Sequence, residues 1–105
     1  MSRMNEIVEK YGGEYLLRQM AEECCELAQA ALKLIRVWHK ETHMREDEAR
    51  EHLTEELADV HLMVHAVFAE LLSEAEVQCV GDVCDIKEER MYHRLLDGKM
   101  EEDVF

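Results

Sequence analysis

Proline is missing from this chain, and glycine occurs only four times in 105 residues. With so few helix breakers, long helices meet little local opposition. No stretch alternates apolar and polar residues in the way a half-buried strand does, so β architectures are disfavoured. Repeats and low-complexity linkers are also absent. Basic residues are scarce too: 12 Lys and Arg stand against 25 acids, a formal charge of -13. That balance argues against duplex nucleic acid as a partner, because affinity there rests on neutralising phosphates. No run approaches the roughly 18 apolar residues of a membrane span. The opening residues Met1–Glu6 have no apolar core of a secretory signal, and a cytoplasmic setting is expected.

Cysteine is limited to Cys24, Cys25, Cys79 and Cys84. Adjacent helical cysteines point about 100° apart and cannot easily chelate one ion together, so all four are expected as small core residues. What the chain does have is apolar material, 48% of its residues. This suffices for the core of one small domain spanning 1–105. Three or four helices of this size bury only a modest share of their surface alone, so a homodimer or homotetramer is expected.

The pattern along the chain is helical. Residues 2–10 form a short helix stopped by Tyr11-Gly12-Gly13. From Glu14 to Trp38, Leu17, Met20, Cys24, Leu27, Ala31, Leu34 and Trp38 recur every three or four positions and mark an apolar stripe. Beside it run Gln19, Glu23, Glu26, Ala30 and Lys33. A polar connector, 39–45, leads to a second long helix over 46–72, striped by Ala49, Leu53, Leu57, Val60, Val64, Val67 and Leu71. His52, Glu56, Asp59 and Met63 lie alongside. Residues 62–68 are apolar on nearly every side, which implies cover on each face, as a subunit interface would give. Ser73-Glu74-Ala75-Glu76 fits a capping box, opening a last helix to Asp97 with Gly98 as its C-terminal cap and 99–105 as a frayed tail. The fold class is all-α: a helical bundle of three long-to-medium helices plus a short N-terminal one, completed by oligomerisation.

Two acidic clusters organise this pattern, Glu22-Glu23-Cys24-Cys25-Glu26 and Glu55-Glu56-Leu57-Ala58-Asp59. Glu23 and Glu26 are one helical turn apart, as are Glu56 and Asp59. Antiparallel packing of the two helices would bring four carboxylates together. Such a group repels itself unless a cation sits within it, and oxygen-only donors favour magnesium, manganese or calcium over zinc or copper.

The motif E-E-x-x-E at Glu22, Glu23 and Glu26, followed by E-x-x-D at Glu56 and Asp59, resembles the signature of the MazG-like all-α nucleoside triphosphate pyrophosphohydrolases. The resemblance covers residues 14–97 and includes a basic final helix. The connector, with His43 and Arg45, is at the long end for that family. The resemblance implies hydrolysis of a nucleoside triphosphate between the α and β phosphates. Glu23, Glu26, Glu56 and Asp59 would hold Mg2+. Glu22 would be a further ligand, a group behind the ligands or the base that takes the water's proton. Lys87, Arg90, Arg94 and Lys33 would bind phosphate, and Gln19 and Trp38 would contact the base. Their bland alternatives are intrahelical pairs with acids such as Glu89 and Asp97, surface solubility, a helix-surface amide and a core aromatic.

Two other functions compete. A carboxylate-bridged metal-binding bundle normally needs E-x-x-H, and none of the six histidines has a Glu three residues before it. His61 and His65, one turn apart, fit packing better than a zinc site. A non-catalytic acidic helical interaction protein would use the acids only as solvated faces, and it predicts that they tolerate neutral replacement.

Overall fold

The structure is a computed structural model describing residues 2–97. Helix α1 spans Arg3–Tyr11, α2 Gly13–Trp38, α3 Glu46–Glu70 and α4 Glu74–Tyr92, with a π-helical turn over His93–Asp97. No strand occurs among the described residues, so the chain is all-α. Gly98 and residues 99–105, expected as a cap and a tail, lie outside the described residues. No helix among those described is long and apolar enough to cross a membrane. The chain falls into two compact units, the first ending at Leu71 and the second beginning at Leu72.

In the first unit, the Ser2 hydroxyl accepts the Asn5 amide at 3.0 Å and caps α1. Helix α1 ends at Gly12, whose φ of 87° is open to glycine and strained for other residues. Gly13 serves a different purpose. A Cβ there would stand 2.8 Å from Leu71 Cδ2, so the missing side chain lets the start of α2 approach the end of α3. At the opposite end of the pair, the Trp38 indole faces the Glu46 carboxylate and helps to lower its pKa. The start of α2 meets the end of α3 and the end of α2 meets the start of α3. The two helices are therefore antiparallel.

The turn that reverses the chain is a Schellman motif. The Glu41 amide reaches the Arg36 carbonyl at 2.9 Å and the Lys40 amide reaches Val37 at 3.0 Å. Lys40 takes the left-handed conformation this requires, with φ of 57°. Three acids in the first turn of α3, Glu46, Asp47 and Glu48, complement the positive end of its dipole. Arg50 bonds to the Glu46 carboxylate and, with Trp38, holds its pKa below the ordinary value.

The core consists of Leu16, Ala30 and Leu34 from α2 with Ala49, Met63, Ala66 and Val67 from α3. Leu16 is fully buried, and burial of this kind stabilises by about 2–3 kcal/mol. Three of the seven are alanines, which let the backbones come close. This face is rotated by about one position from the stripes that apolar spacing predicts. Leu17, Cys24, Trp38 and Leu57 are exposed, while Gln19, Glu23, His52 and Glu56 are half-buried between the helices. The rotation has a physical cause: the chain turns polar residues inward along the middle of the pair, and some apolar ones move outward to make room. All four cysteines are exposed and none is a core residue. Within 62–68, Met63, Ala66 and Val67 are buried, but Leu62 is 56% exposed, so this chain alone does not cover that segment on every side.

In the second unit, the capping box is complete. The Ser73 amide donates to Glu76 Oε1 at 2.9 Å, and the Glu76 amide donates to Ser73 Oγ at 3.1 Å. These bonds hold the Glu76 carboxyl below its usual range. No residue of α4 is buried. In place of a plain α-helix to Asp97, the last turn widens to π, with His93 Nδ1 2.5 Å from Asp97 Oδ2 and Nε2 3.9 Å from Glu89.

Candidate metal centre

Four carboxylates meet where α2 and α3 cross at mid-length. Glu23 and Glu26 project from α2, Glu56 and Asp59 from α3, and one oxygen from each lies within 4.8 Å of the others. The antiparallel pairing and the three-residue spacing on each helix produce this convergence. Each helix contributes one inner and one outer acid. Glu23 and Glu56 are half-buried, whereas Glu26 and Asp59 are exposed.

The inner pair is unusually placed. Glu23 Oε1 accepts a bond from Gln19 Nε2 at 2.9 Å, and Glu56 Oε1 lies 3.4 Å from His52 Nε2. Their other oxygens, Glu23 Oε2 and Glu56 Oε2, are buried and have no hydrogen-bond partner. A buried acceptor without a partner costs on the order of 1–3 kcal/mol, more if charged. Carboxylates gathered this closely also repel one another, and water screens the outer acids more than the inner pair. A cation removes both penalties.

The donor set is all oxygen and anionic, which suits Mg2+ or Mn2+ over softer ions. Opposite ligands of Mg2+ stand about 4.2 Å apart, twice its bond length of about 2.1 Å. The spread of the four oxygens exceeds this by little, so small side-chain rotations suffice. The residues present fit such an ion.

Beside the centre is a cleft of about 270 Å3. Glu23 and Asp59 form part of its wall with Gln19 and Tyr15, and Met4 and Ile7 of α1 supply an apolar side. Helix α1 is tied to the far end of α3 by Asn5, whose amide donates to Glu70 at 2.7 Å.

The remaining expected residues are distributed along the chain. Glu22 is exposed and stands outside the four-carboxylate group. Lys33, half-buried, lies two turns beyond Glu26 on the same face of α2. Trp38 is 53% exposed at the end of α2, so it is not a core aromatic. Gln19 is not a surface amide: it is half-buried and holds Glu23. Lys87, Arg90 and Arg94 lie in the second unit, Lys87 and Arg90 on α4 and Arg94 in the π turn. His61 and His65 are exposed with ring centroids 4.3 Å apart. The spacings Gln19–Glu23 and His52–Glu56, each i to i+4, are the signal by which the two holding groups were readable. No known protein family, characterised protein or solved structure matches the chain.

Proposed function

We propose that this protein is a Mg2+-dependent nucleotide pyrophosphohydrolase, cleaving a nucleoside triphosphate between its α and β phosphates to a monophosphate and pyrophosphate. The observation that supports it is the pair of buried, unpartnered carboxylate oxygens inside a group of four acids. Acids that served only as a solvated face would have no reason to be sequestered from water between two helices. The reaction class is what the resemblance carried by E-E-x-x-E and then E-x-x-D implies.

When bound, Mg2+ or Mn2+ supplies charge neutralisation for the phosphates and a lower pKa for the attacking water. The chain's own contribution is placement. Glu23 and Glu56 fix the inner side of the ion site and are themselves held at one oxygen. Glu26 and Asp59, open to water, complete the site on its outer side, where substrate and solvent enter. Glu22, outside the group, serves behind the ligands or accepts the proton of the attacking water. The resemblance makes Lys87, Arg90 and Arg94 of the second unit the candidates for holding phosphate, the two arginines because their guanidinium forks match phosphate oxygens. The cleft beside Glu23 and Asp59 admits the rest of the nucleotide.

Incubation of a panel of canonical and modified nucleoside triphosphates with Mg2+ tests the proposal, with pyrophosphate measured directly. Pyrophosphate in equal amount to monophosphate is the expected result. Orthophosphate as the product moves the cleavage point and rejects the reaction. A melting scan separates this reading from a non-catalytic acidic protein: Mg2+ is expected to raise the melting temperature, and no shift defeats the metal centre.

A further inference from the structure

Glu23 and Glu56 are treated alike by the fold. On each helix the residue four positions earlier addresses Oε1, and on each the Oε2 is left buried without a partner. The Gln19 contact is the closer, at 2.9 Å against 3.4 Å for His52. An ionised carboxylate accepts only, so the Gln19 group facing it is the amide nitrogen, which fixes that side chain's orientation. Glutamate has three rotatable bonds. Pinning one oxygen from the same helix removes most of this freedom before an ion arrives.

From this we infer that Gln19 is a positioning residue for the metal centre: it binds no ion, but orients Glu23 so that the unpartnered Oε2 is the oxygen presented. The inference rests on the metal-centre reading and adds a residue that the acid motif does not contain. Groups that orient ligands in this way typically change metal affinity by 10–100-fold. His52 plays the same part for Glu56 with a weaker hold, so the two are ranked.

Mn2+ binding read from the free-ion paramagnetic resonance signal tests this without reference to catalysis. Gln19→Leu removes the donor at similar size, and Gln19→Met removes it while keeping an unbranched side chain of similar length. Both are expected to weaken Mn2+ binding by about 10-fold or more while far-ultraviolet circular dichroism stays native. His52→Leu is expected to weaken it less. Glu23→Gln and Gln19→Leu/Glu23→Gln are expected to bind equally poorly, because a residue that acts through Glu23 has nothing to act on once that carboxylate is neutral. If Gln19→Leu does not fold, Gln19→Met decides. Binding by a folded Gln19 variant within twofold of the parent overturns the positioning role and leaves the metal centre standing. So does a further loss in the double variant beyond Glu23→Gln. Failure of the parent protein itself to bind Mn2+ removes both.

Discussion

Residues up to Leu71 and those from Leu72 onward draw on the same amino acids and reach different ends. Helices α2 and α3 bury a core and hold two glutamates partly out of water; α4 is as regular and as well capped, yet buries nothing. Acids are frequent on both sides. Asp82, Asp85, Glu88 and Glu89 of α4 all face water, as Glu23 and Glu56 do not. Periodicity and caps are enough to make a helix. A carboxylate is drawn away from water only where a second helix displaces its solvent.

That contrast can be broken most sharply at the acids. Glu23→Gln or Glu56→Gln is expected to reduce nucleotide hydrolysis by at least about 100-fold and to erase the Mg2+-induced melting shift. Glu88→Gln on α4 is expected to leave both within twofold. A similar loss from Glu88→Gln would show that bulk negative charge, rather than the enclosed pair, matters.

The next largest effect concerns packing. Leu16→Ala is expected to cost about 2–3 kcal/mol in urea unfolding, whereas Val83→Ala in α4 stays within about 0.5 kcal/mol. Without added metal, Glu56→Gln should stabilise the first unit by about 1 kcal/mol, because one of two crowded charges disappears. For a unit of this size that is a rise of roughly 4–8 °C in a calorimetric scan.

Two smaller changes sharpen the picture at helix ends. Ser73→Ala should cost about 1 kcal/mol of α4 stability, seen as faster amide exchange in its first turn, and leave the Mg2+ response untouched. The contribution of Glu76 has a defined pH window. Its folded pKa lies below the ordinary 4.5, so its stabilisation is complete above that value and is lost as pH falls through the folded one. Lys40→Gly relieves a left-handed lysine and should stabilise the α2–α3 turn by about 0.5–1 kcal/mol.

Much of this was legible beforehand. The helices fall at Arg3–Tyr11, Gly13–Trp38 and Glu46–Glu70, close to where spacing and breakers put them, and Ser73 and Glu76 form both bonds of their box. Glu23, Glu26, Glu56 and Asp59 do lie together, because the face that carries each three-residue step is turned toward the other helix. Legibility failed at the choice of buried face. Taking apolar residues as the inside put Leu17, Cys24, Leu57 and Trp38 in the core. In fact Gln19, Glu23, His52 and Glu56 share the seam, and a pattern that scores hydrophobicity cannot see polar residues placed inward. The widened turn at His93–Asp97 left no trace in the spacing either.

The two sequestered glutamate oxygens also bear on how such a chain drifts. A helix pair kept only for its ability to fold would improve by exchanging Glu23 and Glu56 for leucines, each replacement filling space and shedding charge. Each exchange is expected to raise the melting temperature measured without metal. On the proposed function, that exchange is one the metal centre forbids.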